Sequence, residues 1–539
     1  MSSKNNSLVQ GTMILTIGLF LSKVLGLIYI APFYSIVGSE NIGLYQYAYV
    51  PYNIMLTIAI SGAPIAVSKF VSKYNALGDY DASRRLLKSG TLIMLITGFV
   101  SFLIMFLMAE PFANLVIEDK DQEFTVEDVA TVIRWVSFAL IVVPVMSLFR
   151  GYFQGNQYMM PTSVSQLVEQ IARIVFLLGG AYLAVDILGQ SEKTGVSIAV
   201  FAAFIGAIAG ILVLYYYWRK YKPEFNSLLQ GSTSTNYLSY KEIYREILFS
   251  TMPYIFVGMA NSLYQLVDLT TFNKAMAEIG QAAISDRELG YLNLLTHKLV
   301  MIPVMLATGF SMALIPHITK YYTKGEQNPL NRSLDQTFQL LLFLTVPAII
   351  GLTVLSTEFY TLFYEKDANG IEVLAAYAPV ALLFSLYPVT AAILQGIDRQ
   401  KWIVLSTLFG LLLKLALNIP FVTMFETNGA ILATAIGYIA TIIINIGVIV
   451  AAMDYRSKML TRRMILIGIM NAVMAVVVLI VHLVLIFIDP IDGKFDSFLY
   501  ILICAGVGAA VYGYMALRTG LAQKLLGDRI TRIASKLGF

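Results

Sequence analysis

Seven charged side chains fall inside long apolar stretches of this sequence, where charges are rare and costly. They are Lys23, Arg134, Glu169, Arg173, Asp268, Lys298 and Lys414. An ionised group in the hydrocarbon region of a bilayer usually faces a protein interior or a wet cavity, and it is a candidate for ligand binding or ion coupling. Most of the seven are cations, so the chemistry they favour is the binding of an anion such as a phosphate.

Lys23 and Lys298 are the strongest candidates for substrate contact. Both lie more than 10 Å along their apolar stretches at ~1.5 Å per residue, and neither stretch contains an acidic residue. An ammonium at this depth keeps its proton only when an anion or water supports it. A phosphate-bearing ligand is therefore the predicted partner. His297, adjacent to Lys298, is interpreted either as a helix-packing residue or as a proton-coupling group.

Two further pairs of opposite charge have two interpretations each. Glu169 and Arg173 are four residues apart, so they share one helical face and can form an internal ion pair, or Arg173 can contact the substrate. Asp268 has no partner at helical spacing, and Lys414 lies at a similar predicted depth. That second pair is either structural or breaks and re-forms during a transport cycle.

Other polar residues are interpreted as packing or anchoring groups. Arg134 lies within two turns of the end of its stretch, from which its side chain can reach the interface. Tyr45, Tyr49 and Tyr52 recur at helical spacing, which is typical of helix packing but also offers stacking to a sugar. His482 lies in an apolar stretch and is interpreted as a packing histidine.

The composition belongs to a membrane protein. Of 539 residues, 58% are hydrophobic and 13% charged, and the mean hydropathy is +0.73, whereas soluble domains carry about 25% charged residues. Cys504 is the single cysteine, so no disulfide framework forms. No nucleotide fingerprint, zinc-ligand spacing or catalytic nucleophile motif is found. We therefore expect no cofactor, no metal site, no nucleic-acid partner and no enzyme activity.

The apolar stretches predict an all-α polytopic membrane protein of about fourteen transmembrane helices, since a span needs roughly 20 apolar residues. The predicted helices cover 11–37, 42–67, 88–109, 128–150, 160–184, 195–217, 246–272, 290–316, 336–356, 372–395, 401–424, 428–452, 463–487 and 497–517.

The distribution of charge predicts the orientation. If the chain starts inside, most Lys and Arg residues fall in the inner loops and most Asp and Glu residues in the outer ones, as the positive-inside rule requires. Both termini are then cytoplasmic. The basic inner stretches could also bind anionic lipid or nucleic acid, but topology is the simpler explanation.

An internal repeat divides the chain. The segment from Gly43 aligns with that from Gly290, and Gln154-Gly155 aligns with Gln395-Gly396. Both copies start on the same side, which predicts two parallel six-helix lobes with the substrate between them. The predicted domains are 1–225 for helices 1 to 6, 226–455 for helices 7 to 12, and 456–539 for helices 13 and 14 and a cytoplasmic tail.

Two motifs carry a family resemblance. FLSKVLGLIY in the first helix resembles a Ser-[Arg/Lys]-Val-Leu-Gly pattern, and FRGYFQGNQYMMPTSVSQLVEQIAR resembles an Arg-Gly-x-x-Gln-Gly…Pro-Thr-x-x-Ser-Gln…Glu-Gln signature. Both resemble the MurJ/SpoVB branch of the multidrug/oligosaccharidyl-lipid/polysaccharide (MOP) exporter superfamily. The resemblance implies fourteen helices, two lobes around a cationic cavity, a lipid-tail groove at the last two helices, and flipping of lipid II across a bacterial cytoplasmic membrane.

The resemblance also assigns cavity bases. Lys23 stands at the position of a first-helix arginine, and Lys298, within THKLVMIP, matches a helix 8 arginine. Tyr29 and the Leu56-Thr57 pair stand where two other family arginines align, and Arg173 compensates for them. The implied substrate-binding residues are thus Lys23, Lys298 and Arg173.

Some relatives hold a sodium ion between helices 7 and 11. Asp268 matches the helix 7 acid, and Lys414 falls where another ligand is expected, so the resemblance implies that the lysine ammonium replaces sodium. The predicted coupling or gating residues are Asp268, Lys414 and Glu169, with no metal.

The function expected is a monomeric lipid II flippase that works by alternating access among membrane lipids. The alternatives are a flippase for another polyprenyl-linked glycan and a cation-coupled drug exporter of the same superfamily. The last alternative is a membrane enzyme or an assembly scaffold. The lysines weigh against a drug exporter, which would favour acidic cavity residues for cationic drugs.

Overall fold

The computed structural model describes residue 18 and residues 21–22, 24–60, 62–117, 121–232, 240–453, 458–488 and 493–526. At 63, 65, 240–254, 306–317, 458–461 and 526 it describes the backbone alone. Lys23 lies outside the described residues.

Every regular element in these ranges is helical, which confirms the predicted all-α class. The α-helices are α1 Ile30–Asn41, α2 Leu44–Ile60, α3 Ala63–Ala76, α4 Tyr80–Leu107, α5 Ala109–Val116, α6 Val126–Ser137, α7 Ala139–Gly155, α8 Met159–Tyr182, α9 Glu192–Gln230, α10 Tyr240–Glu278, α11 Ala282–Gly290, α12 His297–Thr323, α13 Gln327–Val354, α14 Ser356–Phe363, α15 Ala368–Tyr377, α16 Ala381–Gly396, α17 Gln400–Met453, α18 Lys458–Ile488, α19 Lys494–Arg518 and α20 Leu521–Leu526.

The long apolar helices agree with the predicted spans. Among the described residues, nine helical segments are long and apolar enough to cross a membrane. They cover ten of the fourteen predicted helices, because α17 contains both helix 11 and helix 12. The four others, helices 1, 2, 7 and 8, correspond to α1, α2 with α3, α10 and α12.

The 54-residue element α17 is a hairpin rather than one rod. Glu426 has φ 52° and ψ −133°, which ends the first half. A Cβ on Gly429 would lie 2.0 Å from the carbonyl oxygen of Phe421, so only glycine fits beside this turn. Ser406 contacts Asn445 and Lys414 contacts Thr434, and this pairing shows that the two halves are antiparallel.

A π-helical turn, Tyr291–Thr296, immediately precedes α12. The hydroxyl of Thr296 donates to the carbonyl of Tyr291 at 2.8 Å, and the hydroxyl of Tyr364 donates to the carbonyl of Leu295 at 3.0 Å. A π-turn inserts an extra residue into the helix and rotates whatever follows. The orientation of Lys298, two residues further on, therefore depends on this turn.

The chain divides into two compact units, Met1–Gly290 and Tyr291–Phe539. In the first, α9 packs closely on α8, since a Cβ on Gly206 would lie 2.9 Å from the carbonyl oxygen of Glu169. In the second, α18 and α19 pack beside α13, where the hydroxyl of Tyr512 donates to the carbonyl of Phe343 at 3.1 Å. The six-plus-six-plus-two domain division stays a prediction.

A buried carboxylate fastens one end of the first unit. Asp286 on α11 is fully buried and accepts hydrogen bonds from the hydroxyl of Tyr47 at 2.5 Å, the amide of Asn273 at 3.2 Å and the backbone N–H of Phe124 at 3.3 Å. These donors come from α2, α10 and the loop before α6. The cluster thus ties three segments that are distant in sequence to one carboxylate.

Glu123, in the same loop, makes the first testable prediction. Burial, with the charges of Asp286 and Glu40, raises the pKa of Glu123 from 4.5 to about 7. A carboxyl with a raised pKa in the folded state adds stability at low pH and loses it as the pH rises from 4.5 through 7. We expect the Glu123→Gln variant to lose less stability than wild type between pH 5 and pH 8, measured by thermal unfolding in detergent.

Glu127 supplies the control, because it is an exposed glutamate four residues further along the chain. Glu127→Gln should keep the pH dependence of the wild type. Equal pH dependence in all three proteins would show that the Glu123 carboxyl does not titrate in this range.

Candidate functional site

A line of tyrosines leads from the start of α1 to Arg173 in α8. The hydroxyls of Tyr29 and Tyr45 lie 3.0 Å apart, and the ring of Tyr45 stacks on that of Tyr49 with centroids 4.2 Å apart. Arg173 Nη2 donates to the hydroxyl of Tyr49 at 3.0 Å. Tyr29, which the resemblance aligns with a family arginine, is therefore linked to Arg173 through two rings.

Arg173 keeps hydrogen-bonding capacity for a ligand. Its guanidinium carbon lies 5.4 Å from the ring centroid of Tyr49, and its buried Nε has no hydrogen-bond partner among the described residues. An arginine has five N–H donors, and a buried one left unused is costly unless an acceptor arrives. Such a guanidinium suits a phosphate oxygen, which it can bind as a charged, bidentate donor.

The tyrosines therefore do more than fill space between helices. Tyr45 and Tyr52 are buried, and the ring of Tyr52 meets that of Tyr49 edge to face at 5.7 Å. The ring contacts agree with the packing interpretation, and the hydroxyl of Tyr49 also positions the guanidinium, whereas stacking on a sugar stays a prediction.

The predicted local ion pair between Glu169 and Arg173 is wrong. Glu169 Oε2 pairs with Arg150 Nη2 at 2.7 Å, across from α8 to α7. Arg150 also donates to the hydroxyl of Ser165 at 2.8 Å, and Ser165 in turn donates to the carbonyl of Gly210 at 3.0 Å. The carboxylate faces the neighbouring helix, whereas Arg173 faces Tyr49.

Arg150 is the functional candidate that the sequence interpretation missed. A signal was present, because Arg150, Ser165 and Glu169 all belong to the FRGYFQG…VSQLVEQ signature. The i, i+4 rule considers only neighbours on one helix. In the structure, these signature residues form a hydrogen-bond and ion-pair network across α7, α8 and α9. Because Glu169 pairs with Arg150 in this network, it does not neutralise Arg173.

Lys298 lies in the second unit, partly buried, two residues after the end of the π-turn. Its neighbour His297 is buried, and His297 Nδ1 lies 3.1 Å from the hydroxyl of Tyr377. The His297 ring also packs edge to face on Phe384 at 5.8 Å. The contacts favour the packing interpretation of this histidine, and proton coupling stays a prediction.

Lys414 is fully buried, and its Nζ donates to the hydroxyl of Thr434 at 2.5 Å within the α17 hairpin. Asp268 is buried in α10 of the first unit. Their pairing stays a prediction. Arg134 lies 3.3 Å from Glu110 with its side chain partly exposed, which is the arrangement expected of an interfacial anchor.

An apolar groove runs between α13 and the helices α18 and α19 in the second unit. Its volume is about 620 Å³. Glycine and proline residues line it and leave room between the helices, among them Pro347, Gly351, Gly508 and Gly513. The ring of Tyr512 lines one side. The apolar space lies beside the last two long helices, where the resemblance implies a tail groove, and its use by a lipid tail stays a prediction.

A buried ionisable pair lies next to this groove. His482 Nε2 on α18 is 2.5 Å from Glu358 Oε1 on α14, and Glu358 is fully buried. His482 thus packs as predicted, but through a specific partner that lies 124 residues away. Glu358 follows Leu355 and precedes Phe359, which both line the groove. The pair therefore fixes α18 at the groove wall.

The fold defines the class: this is a multi-pass, all-helical membrane protein with the fold of the MOP-superfamily transporters. It matches a solved structure of the lipid II flippase MurJ in an inward closed conformation, with a TM-score of 0.65 and 17% identity over 95% of this chain and 100% of that one. It also matches an inward-facing multidrug resistance MATE family transporter of the MOP superfamily, with a TM-score of 0.66 and 14% identity over 83% of this chain and 99% of that one.

The sequence comparisons define the family. The polysaccharide biosynthesis protein model matches residues 8–322, and the MatE model matches 282–420. The lipid II flippase MurJ of Bacillus subtilis is 46% identical over 98% of both chains, and stage V sporulation protein B of the same organism is 23% identical over 80% of this chain and 81% of its own. The chain belongs to the polysaccharide biosynthesis protein family, in the branch that contains MurJ. The expectation of a transporter rather than an enzyme is confirmed.

Proposed function

We propose that this protein moves lipid II, the polyprenyl-pyrophosphate-linked peptidoglycan precursor, from the inner to the outer leaflet by alternating access. The observation that carries the proposal is the 46% identity to a lipid II flippase over 98% of both chains. The guanidinium of Arg173, with a donor available to an anion, and the apolar groove give the two chemically different parts of such a lipid separate places to bind.

The pyrophosphate is the part of the substrate that makes crossing difficult. Burying an unpaired charge in an apolar medium costs many kcal/mol. We assign Lys23, Lys298 and Arg173 as the cations that offset this cost. Arg173 has the strongest structural support, because its buried Nε has no partner in the part of the chain that the structure describes and its guanidinium is held by Tyr49.

Asp268, Lys414 and Glu169 are assigned to coupling or gating. Lys414 supplies a buried positive charge where some relatives hold a sodium ion, and Thr434 fixes its ammonium. An inside-negative potential is worth ~2.3 kcal/mol per charge per 100 mV, and it favours the outward movement of an anion. Both termini are assigned to the cytoplasm, since this orientation places most Lys and Arg residues inside. The working unit is proposed to be a monomer.

The groove makes a prediction about the polyprenyl tail. A Cβ on Gly513 meets nothing within 4 Å, so a leucine there has room to start into the groove that this residue lines. We expect lipid II flipping to fall roughly tenfold, because a displaced tail loses ~0.8 kcal/mol for each methylene no longer buried. Flipping is measured with reconstituted vesicles at equal protein incorporation.

Gly468→Leu is the matched control. Gly468 lies on α18 away from the groove, and a Cβ there also meets nothing within 4 Å. Both variants gain the same helix propensity, so the difference between them reports groove occupancy alone. Equal flipping by the two variants would remove the groove from the transport path.

The proposed function is tested by depleting the flippase of a cell that relies on MurJ and expressing this chain instead. Lipid II exposed on the outer leaflet is measured by a membrane-impermeant label. Restored exposure supports lipid II as the substrate. Failure to restore it, with normal membrane insertion, would move the assignment to another polyprenyl-linked glycan, which competition by that glycan lipid then tests.

A further inference from the structure

A crevice in the first unit lies where α9 extends past its predicted span. The apolar stretch ends near residue 217, but α9 continues to Gln230. Trp218, Lys222 and Asn226 on this extension face Arg84 near the start of α4 and Tyr152 near the end of α7. None of these residues belongs to the predicted substrate or coupling sets.

Two cations of the crevice have no acidic partner among the described residues. Arg84 Nη1 donates to Asn226 Oδ1 at 3.2 Å, and neither Arg84 nor Lys222 has a carboxylate within ion-pair distance in the part of the chain that the structure describes. The adjacent Arg85, by contrast, pairs with Asp81 at 3.1 Å. The positive charge of Arg84 and Lys222 is therefore available to an external anion.

The walls of the crevice are fixed by hydrogen bonds that do not use these cations. Asn75 Nδ2 donates to Asn156 Oδ1 at 2.8 Å, and the hydroxyl of Ser83 donates to Asn75 Oδ1 at 2.8 Å. The hydroxyl of Ser232, just past α9, accepts the backbone N–H of Asp81 at 3.1 Å. The end of α9 is thus tied to the start of α4, and the two cations line the same crevice before any ligand arrives.

The aromatic and apolar lining indicates a membrane interface. The ring of Trp218 meets that of Tyr152 at 5.8 Å and that of Phe225 at 5.6 Å, and Leu228 and Leu229 complete the wall. Tryptophan and tyrosine concentrate at the headgroup level of a bilayer. The preceding apolar run of α9 places this lining at the end of a span.

We propose that this crevice binds the phosphate of an anionic phospholipid headgroup. Basic pockets between transmembrane helices on the cytoplasmic side bind such headgroups. The enclosed space is only about 10 Å³, room for a single water, so the phosphate lies across the mouth against Arg84 and Lys222 while the acyl chains run past Trp218 along the apolar part of α9. The assignment to the inner leaflet rests on the proposed orientation, but not on lipid II as substrate.

Free inorganic phosphate shares the same chemistry, and two features favour the lipid. A soluble anion gains nothing from Trp218 and the apolar run of α9 before it, and the exposed mouth supplies too few donors to hold it alone. Phosphatidylglycerol combines one negative charge with apolar chains, so it matches both halves of the lining.

The test compares lipid retention by the full chain in phosphatidylglycerol and phosphatidylethanolamine nanodiscs, counted as adducts in native mass spectra. The Arg84→Gln/Lys222→Gln variant should retain roughly 25-fold less phosphatidylglycerol, because each Lys or Arg at an anionic surface contributes about fivefold. The control Arg219→Gln/Lys220→Gln removes the same charge from the same helix, where the two cations lie near Tyr215, Tyr217 and Tyr221.

Loss of the adduct in the crevice variant but not in the control supports the site. Equal retention by the two variants, or equal retention of both lipids by wild type, overturns it. Displacement of the adduct by excess inorganic phosphate would assign the crevice to a free anion instead. Lys222→Gln alone guards against misfolding, because Lys222 is exposed, and it should lower retention about fivefold. Flipping of lipid II is measured separately and can survive any of these outcomes.

Discussion

Lys298→Ala is expected to lower lipid II flipping at least thirtyfold while leaving membrane insertion intact. Removing one member of a buried charge–phosphate contact typically costs about 2 kcal/mol or more, which corresponds to that factor. The loss arises because the substrate pyrophosphate then has one counter-charge fewer at this depth, and the remaining cations neutralise it less completely. The measurement is flipping in vesicles, with and without an inside-negative potential.

Two further variants, Lys298→Arg and Lys401→Ala, are the controls for this prediction. Arginine keeps the charge and should retain most of the flipping, whereas Lys401 is an exposed lysine at the start of α17 whose loss should have no effect. Wild-type flipping by Lys298→Ala would exclude the ammonium from the transport path and leave Arg173 as the principal cation. Lys23→Ala is expected to behave like Lys298→Ala, since both are assigned the same role.

Breaking the Arg150–Glu169 pair is the second large effect. Arg150→Met or Glu169→Leu alone leaves one charge mostly buried without its partner, and we expect each to destabilise the protein by about 3 kcal/mol. The double variant removes both charges and should recover most of that stability. Thermal unfolding of the four proteins in detergent gives the coupling energy as a double-mutant cycle.

The same cycle separates structure from function. If the pair only holds α7 against α8, the double variant should flip lipid II at a rate close to wild type. If the pair opens during transport, as its assignment to gating requires, the double variant should be stable yet slow. Additive destabilisation of the two single variants would contradict the ion pair itself.

The sequence by itself determined the class, the span positions and the family. Bilayer thickness imposes the same length on every helix that crosses it, so apolar runs such as 88–109 and 463–487 predict α4 and α18 without knowledge of packing. Charges such as Arg173 and Lys414 stand out for the same reason, because an apolar solvent makes each one exceptional. The signature around Arg150 carried the family resemblance, although its purpose was not apparent.

Only the tertiary structure decided which groups meet. Glu169 pairs with Arg150 rather than Arg173, and His482 with Glu358, across 19 and 124 residues of chain. Helical spacing reports neighbours three and four residues away on one helix, whereas a partner on another helix depends on how closely and at what rotation the two helices pack. Here Gly206 and Gly210 let α9 close onto α8, and that packing, which no local pattern encodes, leaves Arg173 turned toward Tyr49 with a donor for the substrate.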